Sequence, residues 1–453
     1  MKGVYLVNYS VRGIKTLDQL VSLSFYKKTI STNPDTRNYN VKGIYGINGS
    51  GKSGIVTSVE ILRNLLIDSG YLNNPVAQKN LAAIINKKLG ELFIEVDYLV
   101  MVEDVVRLFR YRITISKHES EKFIISQESL EEKKSLSGSK AMQPIFEVRN
   151  GELQHIYVEI EQSASSEELQ KKTMNLLSTA SLASLFYEKI LRNMLEINGA
   201  NILYAGLCSL YVFGRNLHVY LDQSDDHRSY AAQSFWKEYE GAGTQQNMVI
   251  YQLLKLGYDD LETVLSSENV VLKKDFGQFE KNVDRLYRFL HIFKKDLQGI
   301  EIEKKENHDC WVCDLIMVYD SYKIHAEYES TGIKKLIRLF AYLREMVQGG
   351  IVFIDEFDSN LHDVYLCALL EYLMEYGAGQ LCFTTHNVGP MDVLRQHKKS
   401  IDFLSENHQI YPWTTNGNYS PAKLYRNGMI EGSPFNVDSI DFIGVLGAGR
   451  EED

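Results

Sequence analysis

The chain has 453 residues, 44% of them hydrophobic and 24% charged, the balance of an ordinary globular protein with room for two or three structural units. A net charge of −10 excludes a surface coated in basic residues for non-specific nucleic-acid binding, so nucleic acid stays compatible only through a local basic patch. Five scattered cysteines, Cys208, Cys310, Cys313, Cys367 and Cys382, do not make a disulfide framework and fit free thiols in a reducing compartment.

The opening stretch, Met1 to Tyr5, starts directly as a strand and lacks the pattern of a signal peptide. The longest apolar run, Ile202 to Phe213, is too short for the roughly 20 residues that cross a bilayer. A cytoplasmic protein without a membrane partner is therefore expected. Strands are predicted at residues 3–9 and 20–27, and the polar loop 31–40 leads into a short strand at Val41–Tyr45.

That strand runs into Gly46-Ile47-Asn48-Gly49-Ser50-Gly51-Lys52-Ser53, which fits G-x-x-x-x-G-K-[ST] at every fixed position. From Gly54 to Asp68, Ile55, Val59, Leu62 and Leu66 recur at helical spacing, so one helix face can pack on a sheet. Strand, glycine loop and helix together predict a P-loop. Its glycines let backbone N–H groups surround phosphate, and the helix start adds its positive end. Lys52 would reach the β- and γ-phosphates of a nucleotide such as ATP. Ser53 would ligate Mg²⁺.

Asn73-Asn74-Pro75 ends this pattern and a β-rich stretch follows, with strands predicted at 92–100, 106–115, 123–126, 145–149 and 153–158. Leu92, Ile94 and Val96 alternate with Glu91, Phe93 and Glu95, as in a half-exposed antiparallel strand. Residues 131–140 read as a charged surface loop. From 163 to 299 the pattern turns helical, with a cap at Ser165-Ser166 and helices expected near 229–239, 245–256 and 276–297. No heptad repeat runs through it, so a compact helical insertion is expected rather than a coiled-coil arm. Strands return at 300–303, 311–319 and 322–327. Cys310 and Cys313 lie there, where a strand would send their sulfurs to opposite faces, and no second cysteine pair accompanies them for zinc.

Three later stretches complete the pattern. Ser330 reads as the cap of a helix whose apolar face is Leu336, Leu339, Phe340, Leu343 and Met346, with Gly332 allowing close backbone approach. Such a helix start is a second anion site. Ile351-Val352-Phe353-Ile354 suits a parallel strand buried on both faces, and it ends in Asp355-Glu356. Asp355 would hold the Mg²⁺ shell, and Glu356 is placed to take a proton from attacking water. Leu381 to Thr385 forms another buried strand, ending at His386, which would lie beside the Asp355 strand and sense the γ-phosphate.

The order of P-loop, helical insertion, Ser-x-Gly helix start, Asp-Glu strand and strand-His resembles the ABC-type ATPase heads of the SMC, RecF and OLD group. It is closer still to the bacterial AAA-type ATPases of abortive-infection phage defence. The resemblance implies an α/β fold: a P-loop NTPase ABC-type head, with a mixed central sheet, an antiparallel β subdomain and a helical insertion. It divides the chain into 1–160, 161–299, 300–405 and a β-rich cap or partner surface at 406–453. Ser330 and Gly332 then match the signature that contacts the nucleotide of a second subunit, making ATP the glue of a homodimer or higher oligomer. Ser359 to His362 match the D-loop. Thr331 and Ile333 depart from the common signature residues, and Gln78 is the candidate Q-loop glutamine. OLD-type nucleases add a metal-binding domain after the ATPase, and only about 67 residues follow His386. The expected function is thus an ATP-dependent sensor or regulator in an anti-phage system, acting on a separately encoded nuclease or toxin. The alternative is a RecF-like DNA-repair or DNA-clamping ATPase.

Overall fold

Alternating side chains between residues 91 and 130 produce long antiparallel strands. The computed structural model describes residues 3–31, 34–102, 105–133, 141–156, 173, 176–187, 201–221, 263–414 and 419–434. Strands β1 (Gly3–Arg12), β2 (Val21–Ser24), β4 (Glu91–Val102), β5 (Val105–Lys117), β6 (Phe123–Lys133), β7 (Gln143–Arg149) and β8 (Glu152–Ile156) form one antiparallel sheet in the order β2-β1-β4-β5-β6-β7-β8. Residues 131–133, expected in a charged loop, instead extend β6. Cross-strand pairing offsets their charge, with Arg112 at 3.2 Å from Glu131 and Arg107 at 3.3 Å from Glu132.

The second sheet contains β3 (Val41–Tyr45), β9 (Leu217–Tyr220), β14 (Ile351–Ile354), β15 (Gln380–Thr384), β16 (Ile401–Leu404) and β17 (Ile410–Pro412). Its order is β17-β16-β3-β15-β14-β9, parallel throughout except for the β16–β17 pair. Every residue of β14 is buried because both faces are covered. Ile351 and Phe353 share a core with Ile55, Val59 and Leu62 of α1 (Lys52–Ile67). The alternate residues Val352 and Ile354 pack with later helices, through Leu339, Leu343 and Met346 on one and Leu366, Leu370 and Leu373 on the next. The chain order of described helices is α1, α2 (Pro75–Ile84), α3 (Leu182–Tyr187), α4 (Asn201–Asn216), α5 (Phe276–Phe293), α6 (Thr331–Gln348), α7 (Asp363–Tyr376), α8 (Met391–Leu394) and α9 (Pro421–Arg426).

A third, antiparallel sheet joins β10 (Asn269–Leu272), β12 (Cys310–Tyr319) and β11 (Leu297–Asn307), with β13 (Lys323–His325) paired to β12. Leu286 and Leu290 of α5 cover it, and Ile333, Leu336 and Ile337 of α6 enter the same core. Helix α6 is therefore a wall shared by the second and third sheets. Cys310 and Cys313 are both buried on β12, and only Cys313 lies in this core.

The described residues of the stretch expected to be helical from 163 to 299 include the strands β9 and β10. β9 is the edge of the parallel sheet and β10 pairs with β12, so tertiary pairing overrides the local pattern there. The helix expected to reach residue 297 stops at Phe293, and Leu297 opens β11. The strand expected at 322–327 is three residues of β13 followed by a 3-10 turn, Ala326–Tyr328. The cap at Ser165-Ser166 and the helices expected near 229–239 and 245–256 lie outside the described residues. Among the described residues no helix is long and apolar enough to cross a membrane.

Three buried ionisable groups make the fold testable. Lys42 of β3 pairs with Asp402 of β16 at 2.7 Å, with 1% and 2% of the side chains exposed. Lys42→Met leaves a buried carboxylate unpaired, so denaturant unfolding should show a loss of about 3–5 kcal/mol. A Lys42→Met/Asp402→Leu pair should recover most of it. Burial pushes the Glu128 carboxyl up from 4.5 to about 7, although Leu182 N–H and the Tyr111 hydroxyl both donate to it. Because the folded state holds this proton more tightly, stability falls as pH rises from 4.5 through 7. Between pH 6 and 8 this group should cost the wild type about 1 kcal/mol, and Glu128→Gln should remove that slope.

Candidate functional site

Parallel strands bring their C-terminal ends to one edge, and here that edge gathers the end of β3, the end of β15 and the end of β14 side by side. They lead respectively into the glycine loop, the His386 turn and Asp355-Glu356. The neighbouring of the His386 and Asp355 strands agrees with the sequence reading. Ligands of open α/β sheets bind at this edge.

In the loop, Gly49 and Gly51 hold φ of 81° and 104°, left-handed values that favour glycine. A Cβ on Gly51 would also meet Leu17 Cδ2 at 2.4 Å. Asn48 is exposed beside it. Lys52 is 6% exposed, and its ammonium donates to the carbonyls of Gly46 and Ile47 at 2.9 Å each. Burial pushes the Lys52 ammonium down to about 8, while Asp355, Glu356 and Asp358 act to hold its proton. Ser53 follows in the first turn of α1.

Two observations fit this loop to a polyphosphate. Ser50 Oγ is buried without a hydrogen-bond partner. Helix α1 also has no side-chain cap, whereas Asn74, Ser330 and His362 cap α2, α6 and α7. Its first N–H groups are the orphans that an anion satisfies.

The acidic end of β14 is held by one hydroxyl. Thr384 Oγ1 donates to Asp355 Oδ1 at 2.5 Å and accepts the Glu356 N–H at 2.8 Å. The Asp355 N–H donates to the Tyr220 carbonyl of β9 at 2.9 Å. Asp355 is buried, and Glu356 is partly exposed at a left-handed φ of 48°. His386 is exposed at the end of the neighbouring strand; shielding of its ring and the charge of Lys52 lower its pKa, against Asp358 and Asp355. Both effects disfavour the charged imidazolium. Among the described residues no group of three or more His, Cys, Asp or Glu side chains forms a metal cage. The donors present, a Ser hydroxyl and one buried carboxylate, suit Mg²⁺ held partly by phosphate and water.

Ser330 caps α6 by accepting the Ile333 N–H at 3.4 Å, as its residue type predicts. A Cβ on Gly332 would lie 2.6 Å from the Asn360 carbonyl, so only glycine fits without movement. Gln78 is committed elsewhere: its amide bonds the backbone of Leu72 and Phe123, tying α2 to β6. The sequence reading assigned no role to Thr384, Tyr220 or Asp358. Thr384 stood in a stretch already singled out and Asp358 between two of them, and their signal is position, one at a strand end and the other two residues beyond Glu356.

Residues 253–392 match the family model described as "AAA domain, putative AbiEii toxin, Type IV TA system". That stretch includes α6, Asp355-Glu356 and His386. No curated protein matches the chain. Among solved structures, the SMC head domain from Thermotoga maritima is similar at 12% identity and a TM-score of 0.33, covering 91% of this chain and 100% of that one. The recombination mediator protein RecF, in its RecFOR-pathway structure, gives 12% identity and a TM-score of 0.38, covering 91% and 99%. The mixed α/β fold and its P-loop rest on the sheet order and the converging strand ends.

Phosphate binding at Lys52 should restore its proton, so nucleotide binding should take up protons above pH 8 and not at pH 6.5. Calorimetry of ATP binding in buffers of different ionisation enthalpy measures this. Affinity should fall about tenfold between pH 7 and pH 9 from this group.

Proposed function

We propose that the chain binds and hydrolyses ATP, and that ATP closes two copies head to tail. The observation that supports this best is the gathering of Lys52, Asp355-Glu356 and His386 on one sheet edge, close enough for the acids to act on the Lys52 ammonium. In this reading Gly46, Asn48, Gly49, Ser50, Gly51 and Lys52 hold the phosphates. Ser53 and Asp355 hold Mg²⁺, which when bound neutralises charge on the phosphate oxygens. Glu356 accepts a proton from the attacking water. His386 donates a hydrogen bond to the γ-phosphate. Ser330 and Gly332 of a second copy complete the site, using the positive end of α6.

The family model's description, a putative AbiEii toxin of a Type IV TA system, supports placing this ATPase in abortive infection. There it would act as a sensor or regulator of a separate nuclease or toxin. Residues 1–160 and 300–405 would form the two halves of the head around the insertion at 161–299, with 406–453 as the partner-facing cap.

Lys52→Ala should abolish ATP binding. Glu356→Gln should keep binding, lose hydrolysis at least 100-fold, and elute as a dimer with ATP in sizing chromatography, on the ~10² scale expected for loss of a base. A trapped variant that stays monomeric sinks the head-to-tail arrangement. Purified protein that cleaves DNA or RNA by itself, with cleavage lost in Glu356→Gln, sinks the separate effector.

A further inference from the structure

The start of α6 and the turn after β14 are joined by a set of contacts centred on Lys335. This lysine is 3% exposed, one turn beyond Ser330. Its ammonium donates to the Glu356 carbonyl at 2.5 Å and to Ser359 Oγ. Beside it, Thr331 Oγ1 donates to Asn360 Oδ1 at 3.3 Å, and Gly332 lies against the Asn360 carbonyl. A lysine seldom gives up full hydration of its ammonium unless several acceptors replace the water.

The target of this contact is informative. Glu356 has a left-handed backbone, which strains a non-glycine residue and persists only where the surroundings over-determine it. Its peptide groups are held from both sides: Thr384 accepts its N–H from β15, and Lys335 donates to its carbonyl from α6. One clamp belongs to the rigid sheet. The other belongs to the helix whose exposed Ser330 and Thr331 start it.

We propose that Lys335 is a positioning residue that sets the carboxylate of Glu356 through its backbone and couples it to whatever engages the start of α6. The inference rests on the ATPase reading above and deepens it. Loss of the ammonium removes the tether from α6 on the Glu356 carbonyl and on the Ser359 hydroxyl, leaving that carbonyl to the Ser359 N–H of its own turn at 3.0 Å, and the left-handed turn relaxes. The P-loop contacts of Lys52 are made with Gly46 and Ile47 and are untouched. The rate of hydrolysis should therefore fall while nucleotide affinity holds.

The test measures ATP turnover and ATP affinity in the full chain for wild type, Lys52→Ala, Lys335→Met and Ser359→Ala, with thermal melting of each. Lys335→Met should lower kcat about 10- to 100-fold, the scale of an ångström-level misplacement, while the ATP Kd changes less than threefold. Ser359→Ala, which removes one acceptor, should lower kcat several-fold at the same Kd. A folded Lys335→Met with kcat within threefold of wild type overturns the inference. Reduced activity that scales only with the fraction of ATP-binding protein, at unchanged turnover per bound ATP, also overturns it. Should Lys335→Met fail to fold, Ser359→Ala decides, and an unchanged rate overturns the proposal. Wild type that binds ATP with no turnover, like Lys52→Ala in rate, instead overturns the parent reading and this one with it.

Discussion

The site depends on the parallel hydrogen-bonded register of β3, β15 and β14. Ile354 lies opposite Phe383, and Thr384 lies opposite Ile44, so the three strands end at one level. Parallel strands require crossover connections, which here place α1 on one face and α6 and α7 on the other. The chemistry-bearing residues come from positions 46–53, 355–356 and 386. Only this register makes them neighbours.

Burial does much of the remaining tuning. Lys52 loses water and with it part of its hold on a proton, which leaves a cation whose protonation depends on what faces it. Asp355 is buried too, yet it keeps a hydroxyl donor from Thr384 and a backbone anchor from Tyr220 through its own N–H. The order of the sheet supplies both partners, since β15 and β9 flank β14. Position on a strand flanked on both sides thus sets the electrostatic setting of the acid.

The glycine loop, the acidic strand and the capped start of α6 were legible in the sequence, because each depends on short-range chemistry. Glycine at left-handed φ, a four-residue apolar run and a Ser cap all act within a few residues. β9 was not legible. Leu217 to Tyr220 is four residues following directly on the helix α4, and it becomes a strand only because β14 presents a free edge. Glu131 to Lys133 was misread for a similar reason: its charges look like loop until the partner arginines on β5 are placed opposite. The function of Lys335 was hidden in the same way, since the carbonyl it holds lies 21 residues away.

The two helix starts of the site differ in a way that bears on reversibility. Helix α1 has no side-chain cap, so a bound anion there replaces solvent alone. Helix α6 already satisfies one N–H with its own Ser330, through a bond of 3.4 Å at the long limit of such contacts. A phosphate arriving from a second copy would exchange for that weak bond and give it back on departure. If the proposed closure occurs, the joint at α6 is built to let go, while the grip on nucleotide resides in α1. Such a machine keeps its ligand during assembly and sheds its partner between cycles.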